Sequence, residues 1–500
     1  MKGDNFYKST VILTASNLLT GVFSFIFTIT LSSVLGPEGI GLYNLVMPIY
    51  NLFICIMSAG MVAALSKVSA IYYEKGELSN LYKTVSTTFI FNVFWSLSVT
   101  LIVLLLNGYL SGEVIKDIRT SYALLIICPA MVFITLSNIL KGFFYGISKV
   151  MLPSIIDIFE KGIRIIVMIL LLVVFKVESM ELKLAIAYSS LCVGELISLL
   201  LLYLYYRIAK NTLPTSVKPA EGRAQLLYNV LSISIPLCVN GIITNLLATL
   251  STLLIPRRLI IAGFSGTAAL SLIGKFSGMA ATIVFFPMVI IGSINIVLIP
   301  DLSKSISKKD YISSEDRIKD VLRLSFILGV CTLMICSTIP DTLGLMLFKR
   351  NDLGHFIRFV SYGAPFVYTS VTTYGILNGI GRHNILLRNS VAVSLLEIAL
   401  LYILTAIPTI NILGYGITMI VSSLTSIGLN IHEIKKYYEL EASMTNIIIY
   451  ALFAVLIYYI LSILNNTISS ELLILKSIII IAWGFSLFIL SIYFTKKAAA

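Results

Sequence analysis

Arg257, Arg258 and Lys275 are cations in stretches of chain that are otherwise apolar. The two arginines follow Pro256 at the end of one long apolar segment, and Lys275 lies inside the next, a Gly-rich one. A guanidinium fork matches phosphate oxygens bidentately and an ammonium adds a point charge, so three such groups facing one space suit a diphosphate. The alternative reading is that they snorkel to headgroups, as long basic side chains near helix ends do.

Amides form a second set. Asn17, Asn44, Asn51, Asn240 and Asn245 all fall inside apolar stretches. An amide there either joins helices or lines a polar path for sugar hydroxyls. Asn17, Asn51 and Asn240 are the candidate substrate contacts.

Carboxylates form a third. Asp157, Glu160, Lys161 and Arg164 share one apolar segment, and the spacing predicts Asp157–Lys161 and Glu160–Arg164 pairs one helical turn apart. An unpaired charge at mid-bilayer costs about 2.5–3.5 kcal/mol, so the four must pair or face water. They read either as a gating cluster or as an ion-pair network that holds helices together. Glu195 and Glu397 are lone carboxylates in apolar surroundings, able to carry a coupling proton or to pair with a neighbouring helix.

No catalytic constellation accompanies these residues. His355, His383 and His432 are scattered, no metal-ligand spacing is present and no phosphate loop occurs. No metal, cofactor or catalytic residue is expected. Outer carboxylates such as Glu113, Asp117, Asp341 and Asp352 lack an acid/base companion, which argues against a membrane glycosyltransferase. The six cysteines lie in apolar stretches. Cys331 and Cys336 point about 140° apart on one helix, so they are read as small buried side chains.

The elements that must position these groups are apolar helices. Of 500 residues, 58% are hydrophobic and 12% charged, with mean hydropathy +0.97. About fourteen stretches near or above the 20 residues needed to span a bilayer recur along the chain. The fold class is therefore an all-α polytopic membrane protein. The first stretch is too long for a removable signal peptide. The net charge of +12 is distributed by side, with 23 Lys and Arg on inner segments against 10 on outer loops. That asymmetry places both termini in the cytoplasm, beginning with Lys2 and Lys8 and ending with Lys496 and Lys497, and removes nucleic acid as a partner. The Ala498–Ala500 tail is given no role.

The chain repeats itself. Gly142 and Gly146 with Lys149, and Gly375 and Gly379 with Arg382, share one G-x-x-x-G pattern before two helices six apart. An even offset predicts two parallel six-helix lobes, residues 1–226 and 227–436, with two helices in 437–500 appended. Such duplication is the architecture of alternating-access transporters.

Leu35, Gly36, Pro37, Glu38, Gly39, Ile40, Gly41, Leu42 and Tyr43, running on to Met47, Pro48 and Tyr50, resemble a signature of polysaccharide and lipid-linked oligosaccharide exporters. Ser58 through Lys67, Lys141 through Pro153, and the Pro256–Leu259 turn extend the resemblance over the whole chain. They are similar to the stage V sporulation protein B-like group of the multidrug/oligosaccharidyl-lipid/polysaccharide flippase superfamily, within the polysaccharide transporter family. The resemblance implies fourteen helices in two lobes around a central cavity. It also implies transport of undecaprenyl-diphosphate-linked saccharides such as lipid II for spore-cortex peptidoglycan. Related lipid II flippases line that cavity with basic residues of helices 1, 2 and 8. Here helix 1 offers only Lys8 and Asn17, and Lys275 is the counterpart in helix 8 by position.

The expected function is an alternating-access lipid flippase that carries its cargo from inner to outer leaflet, working as a monomer among membrane lipids, with cell-wall synthases as candidate partners. Outward movement of an anion is downhill in an inside-negative membrane by about 2.3 kcal/mol per charge per 100 mV. The competing expectation is a cation-coupled drug or organic-cation antiporter using Glu195 or Glu397.

Overall fold

The computed structural model describes residues 2–58, 60–212, 221–307, 310–440, 444–468 and 473–499. The side chains of Lys2, Lys8, Lys496 and Lys497 and the end of the alanine tail lie outside the described part. Every element among the described residues is helical, as a lipid solvent requires of a chain that cannot leave backbone N–H and C=O groups unpaired. Nine helices there are long and apolar enough to cross a membrane, and three shorter apolar ones, including Met288–Ser303, accompany them.

The first of these runs, Ile12–Glu74, holds 63 residues, about 95 Å at 1.5 Å per residue. It covers the first two apolar stretches and is broken by glycines. Gly36 takes φ 62° and ψ −176°, a backbone state essentially closed to residues with a Cβ. Gly60, at φ 75°, has a second reason to lack a side chain. A Cβ there would stand 2.6 Å from that of Leu237 and 2.8 Å from the Ser234 carbonyl oxygen.

The chain divides into two compact units. One comprises Met1–Leu35 with Leu42–Leu253, the other Gly36–Gly41 with Leu254–Ala500. The first has a core of Leu65, Leu81, Ile139, Phe143, Leu202 and Leu226, all essentially inaccessible. Phe143 meets Phe144 and Tyr206 edge-on, each at 5.1 Å between ring centroids. The second is built on Leu302, Ile318, Ile376, Leu377 and Ile434. Outside these cores the exposed side chains of helix Met151–Phe175 are all apolar, among them Ile166, Leu170, Val173 and Val174, as suits a lipid-facing flank.

The glycine echo is a structural duplication in constant register. Gly142 packs on Val62 and Leu65, and Gly146 on Ser66 and Ser69. In the second unit Gly375 packs on Asn295, and Gly379 on Ile299 and Leu302. Each second-unit residue follows its counterpart by 233 positions (375 less 142, 379 less 146, 295 less 62, 302 less 69). Whole helices obey the same offset. Leu78–Leu105 and Tyr311–Thr338 each have 28 residues and begin and end 233 apart. Ser121–Gly146 corresponds to Gly354–Gly379, there interrupted at Tyr362 and Gly363. A register kept without insertion or deletion means that the two units repeat the same helix contacts. A reciprocal contact obeys the rule as well. Within the second unit, Gly41 abuts the backbone of Leu270 and Gly274 abuts that of Pro37.

Candidate functional site

Lys275 sits at a local irregularity. Helix Gly266–Ile273 passes at Gly274 into a π-helical turn, Gly274–Ala280, before a short α-helix resumes. Such wide turns are uncommon and recur at functional sites. Lys275 Nζ lies 2.7 Å from Asp352 Oδ2. The same carboxylate takes two bonds from Arg350, Nε to Oδ1 at 2.8 Å and Nη2 to Oδ2 at 2.7 Å. One carboxylate is thus shared by two cations, leaving a net positive charge. Hydrogen bonds from Arg350 and then Lys275 hold the Asp352 carboxyl well below the usual carboxylate range.

Asp352 is the residue that sequence reasoning missed. As an outer carboxylate it lacks an acid/base companion, and its companions are instead the cations Arg350 and Lys275. The Arg-x-Asp spacing was the available signal, since it allows a bidentate grip across one residue.

The other two predicted cations are placed differently. Arg258 lies over the Tyr402 ring at 3.8 Å and donates from Nε to the Tyr402 carbonyl oxygen at 2.7 Å. Arg257 beside it is half-buried. Arg258 therefore holds one helix to another, a use that spacing alone could not reveal.

In the first unit the charged cluster assembles, with pairings other than the two expected. Asp157 pairs across helices with Lys141 at 2.7 Å rather than with Lys161. Lys161 instead reaches its neighbour Glu160 at 2.7 Å. Arg164 turns away to donate from Nη2 to the Tyr43 hydroxyl at 2.9 Å, with its guanidinium over the Phe27 ring at 4.1 Å. Tyr43 is fixed in turn by Tyr188, stacked on it at 4.9 Å and donating to its carbonyl oxygen at 3.0 Å. The i,i+4 expectation considered one helix in isolation. Packing offered Asp157 and Arg164 partners on neighbouring helices.

Glu160, Arg164 and Glu195 are all buried, at 4%, 9% and 6% exposure. The Glu160 carboxylate lies over Gly194, where a Cβ would come within 2.8 Å of Oε1, beside Glu195 in sequence. Glu160 Oε1, Arg164 Nε and the Tyr50 hydroxyl are each buried without a hydrogen-bond partner among the described residues. Three such atoms around one cluster are out of keeping with a finished structural network, because each carries a desolvation penalty of about 1–3 kcal/mol.

Among the candidate amides of the first unit, Asn17 and Asn240 are half-buried and Asn51 is exposed. Asn240 Oδ1 is buried without a hydrogen-bond partner among the described residues. Glu397 is half-buried in helix His383–Leu404. All six cysteines are free.

Apolar helices in a register-true duplication, with a few charged groups buried among them, define a multi-pass membrane protein of the transporter class. Residues 6–306 match the Polysaccharide biosynthesis protein family, and the chain belongs to that family. It is 24% identical over 422 residues to Stage V sporulation protein B of Bacillus subtilis (strain 168), covering 84% of this chain and 82% of the relative. Its fold is similar to the inward closed conformation of Lipid II flippase MurJ, with TM-score 0.67 and 12% identity over 100% of this chain and 99% of the other. It is also similar to an inward-facing MATE multidrug resistance transporter, with TM-score 0.68 and 13% identity over 85% and 95%.

Proposed function

We propose that this protein is an alternating-access flippase that exports an undecaprenyl-diphosphate-linked saccharide, with lipid II for spore-cortex peptidoglycan as its cargo. One observation carries the reading above the rest. Lys275, on a π-helical turn in an apolar segment, shares an anion with Arg350, the arrangement a phosphate group would use. The similarity to Stage V sporulation protein B and to Lipid II flippase MurJ supports the choice of cargo.

In this reading Lys275, Arg257 and, on leaving the Tyr402 carbonyl oxygen, Arg258 meet the diphosphate, and Asn17, Asn51 and Asn240 meet the sugars. Glu160, Arg164 and Glu195, with Glu397, serve gating or ion coupling. The lobes are residues 1–226 and 227–436, residues 437–500 are appended, and both termini are cytoplasmic. The protein acts as a monomer without enzymatic chemistry and hands its cargo to cell-wall synthases.

The test is a vesicle assay of the purified protein with lipid II and with simpler polyprenyl-linked sugars, with and without an inside-negative potential. Protein-dependent appearance of cargo in the opposite leaflet, lost when two of the three cations are neutralised while expression persists, is the expected result. Unchanged transport in those variants ends their assignment.

A cation-coupled antiporter is the second reading, favoured by the buried Glu160 and Glu195 carboxylates. It predicts transport of organic cations against a proton or sodium gradient and indifference to neutralisation of Lys275.

A further inference from the structure

The duplicated register supplies an internal comparison for the Lys275 site. Asp352 and Arg350 fall 233 positions after Arg119 and Asp117 (352 less 119, 350 less 117). Asp117 and Arg119 form a clasp of the same kind, with Nε to Oδ1 at 2.9 Å and Nη2 to Oδ2 at 2.7 Å. One Arg and one Asp, two residues apart, are therefore sufficient to build this loop in either unit. The position that matches Lys275 in the first unit is Leu42 (275 less 233), which is fully buried. The second unit has added a cation that the clasp does not need.

We propose that Asp352 is a tethered occupant of a phosphate-binding site formed by Lys275 and Arg350, displaced by the diphosphate of the cargo when it binds. The inference rests on the flippase reading for the identity of the anion. Three features support it. All three side chains are reachable, with exposures of 21% for Lys275, 34% for Arg350 and 41% for Asp352. Asp352 extends from the short segment between helices Pro340–Phe348 and Gly354–Ser361, fixed beside it by the fully buried Leu353. Rotation of one side chain therefore frees both cations without moving a helix. The site without Asp352 carries two positive charges, which matches a diphosphate, and a carboxylate is the weaker competitor because it offers fewer oxygens to the same donors. A built-in competitor also keeps Lys275 from standing uncompensated in an apolar segment between cargoes.

The inference predicts competition. Full-length protein in detergent is titrated with farnesyl diphosphate and, separately, with inorganic diphosphate by calorimetry. Asp352→Asn should bind farnesyl diphosphate about tenfold more tightly than wild type, and Lys275→Gln about tenfold more weakly. The double variant should gain less over Lys275→Gln than Asp352→Asn gains over wild type, because only Arg350 is then freed. Asp352→Glu keeps the competitor and should stay near wild type. Should Asp352→Asn not accumulate as folded protein, Asp352→Ser reads the same competition. A gain shared by inorganic diphosphate assigns recognition to the headgroup alone; a gain confined to farnesyl diphosphate assigns it to the lipid-linked form. Unchanged or weaker binding by the folded Asn and Ser variants, or a gain undiminished when Lys275 is replaced, overturns the inference. Wild-type protein that binds no prenyl diphosphate overturns the flippase reading beneath it, so the two failures are distinguishable.

Discussion

Asp117 and Arg350 occupy the same position in the two repeats and carry opposite charges. Each grips a partner two residues on through two nitrogen–oxygen bonds, Asp117 accepting from Arg119 and Arg350 donating to Asp352. Duplication has thus kept the clasp and inverted its polarity.

The inversion implies that either order fits the loop. Asp117→Arg and Arg119→Asp should each lower the melting temperature by setting like charges together. The Asp117→Arg/Arg119→Asp double exchange should recover most of the loss. Recovery falls short of complete because Asp117 also accepts from the Arg119 backbone N–H at 3.1 Å, a capping bond worth about 1 kcal/mol. A double exchange no better than the worse single one would show the repeats to be unequal here.

The glycine register sets a graded series. Gly146→Ala would bring a Cβ within 2.5 Å of the Ser69 Cβ and 2.7 Å of the Ser66 carbonyl oxygen, an overpacking that costs about 1–3 kcal/mol. Gly142→Ala meets its neighbours at 3.0 Å and beyond and should be milder. Gly162→Ala faces open space and should stabilise by about 0.5–1 kcal/mol through helix propensity alone. Thermal melting of the three variants checks the order; equal effects would remove the packing argument.

Arg164 should tolerate no neutral replacement. Arg164→Gln takes a cation from a buried cluster holding Glu160 and Glu195 and should destabilise by about 3–5 kcal/mol. Tyr43→Phe removes one acceptor and should lose about 1 kcal/mol. Denaturant or thermal unfolding in detergent measures both. If Arg164→Gln cost no more than Tyr43→Phe, the cluster would not depend on its guanidinium.

Asp352 gives a pH signature with a definite sign. Its carboxyl titrates lower in the folded protein than in an unfolded chain, because of Arg350 and then Lys275. Its stabilisation is therefore fully present above the unfolded value of about 3.9 and is lost as pH falls through the lower folded value. The melting-temperature difference between wild type and Asp352→Asn should stay constant between about pH 5 and about pH 8 and shrink only in stronger acid. A difference that varies near neutrality would mean that another group controls the clasp.

Much of this protein was legible in its sequence. The length and purity of the apolar stretches specified helices, because lipid offers a backbone no other way to pair its polar groups. Gly142, Gly146, Gly375 and Gly379 announced the duplication, because two helices approach this closely only where a side chain is missing. What the sequence could not supply was partnership. Asp157 chose Lys141 over Lys161, Arg164 chose Tyr43 over Glu160, and Arg258 settled on Tyr402. Local spacing counts candidates along one helix, whereas a long charged side chain takes whichever donor or acceptor packing brings nearest. Asp352 and Lys275 are 77 residues apart (352 less 275), and only the tertiary structure, by folding a short loop back onto a π-helical turn, could decide that they meet.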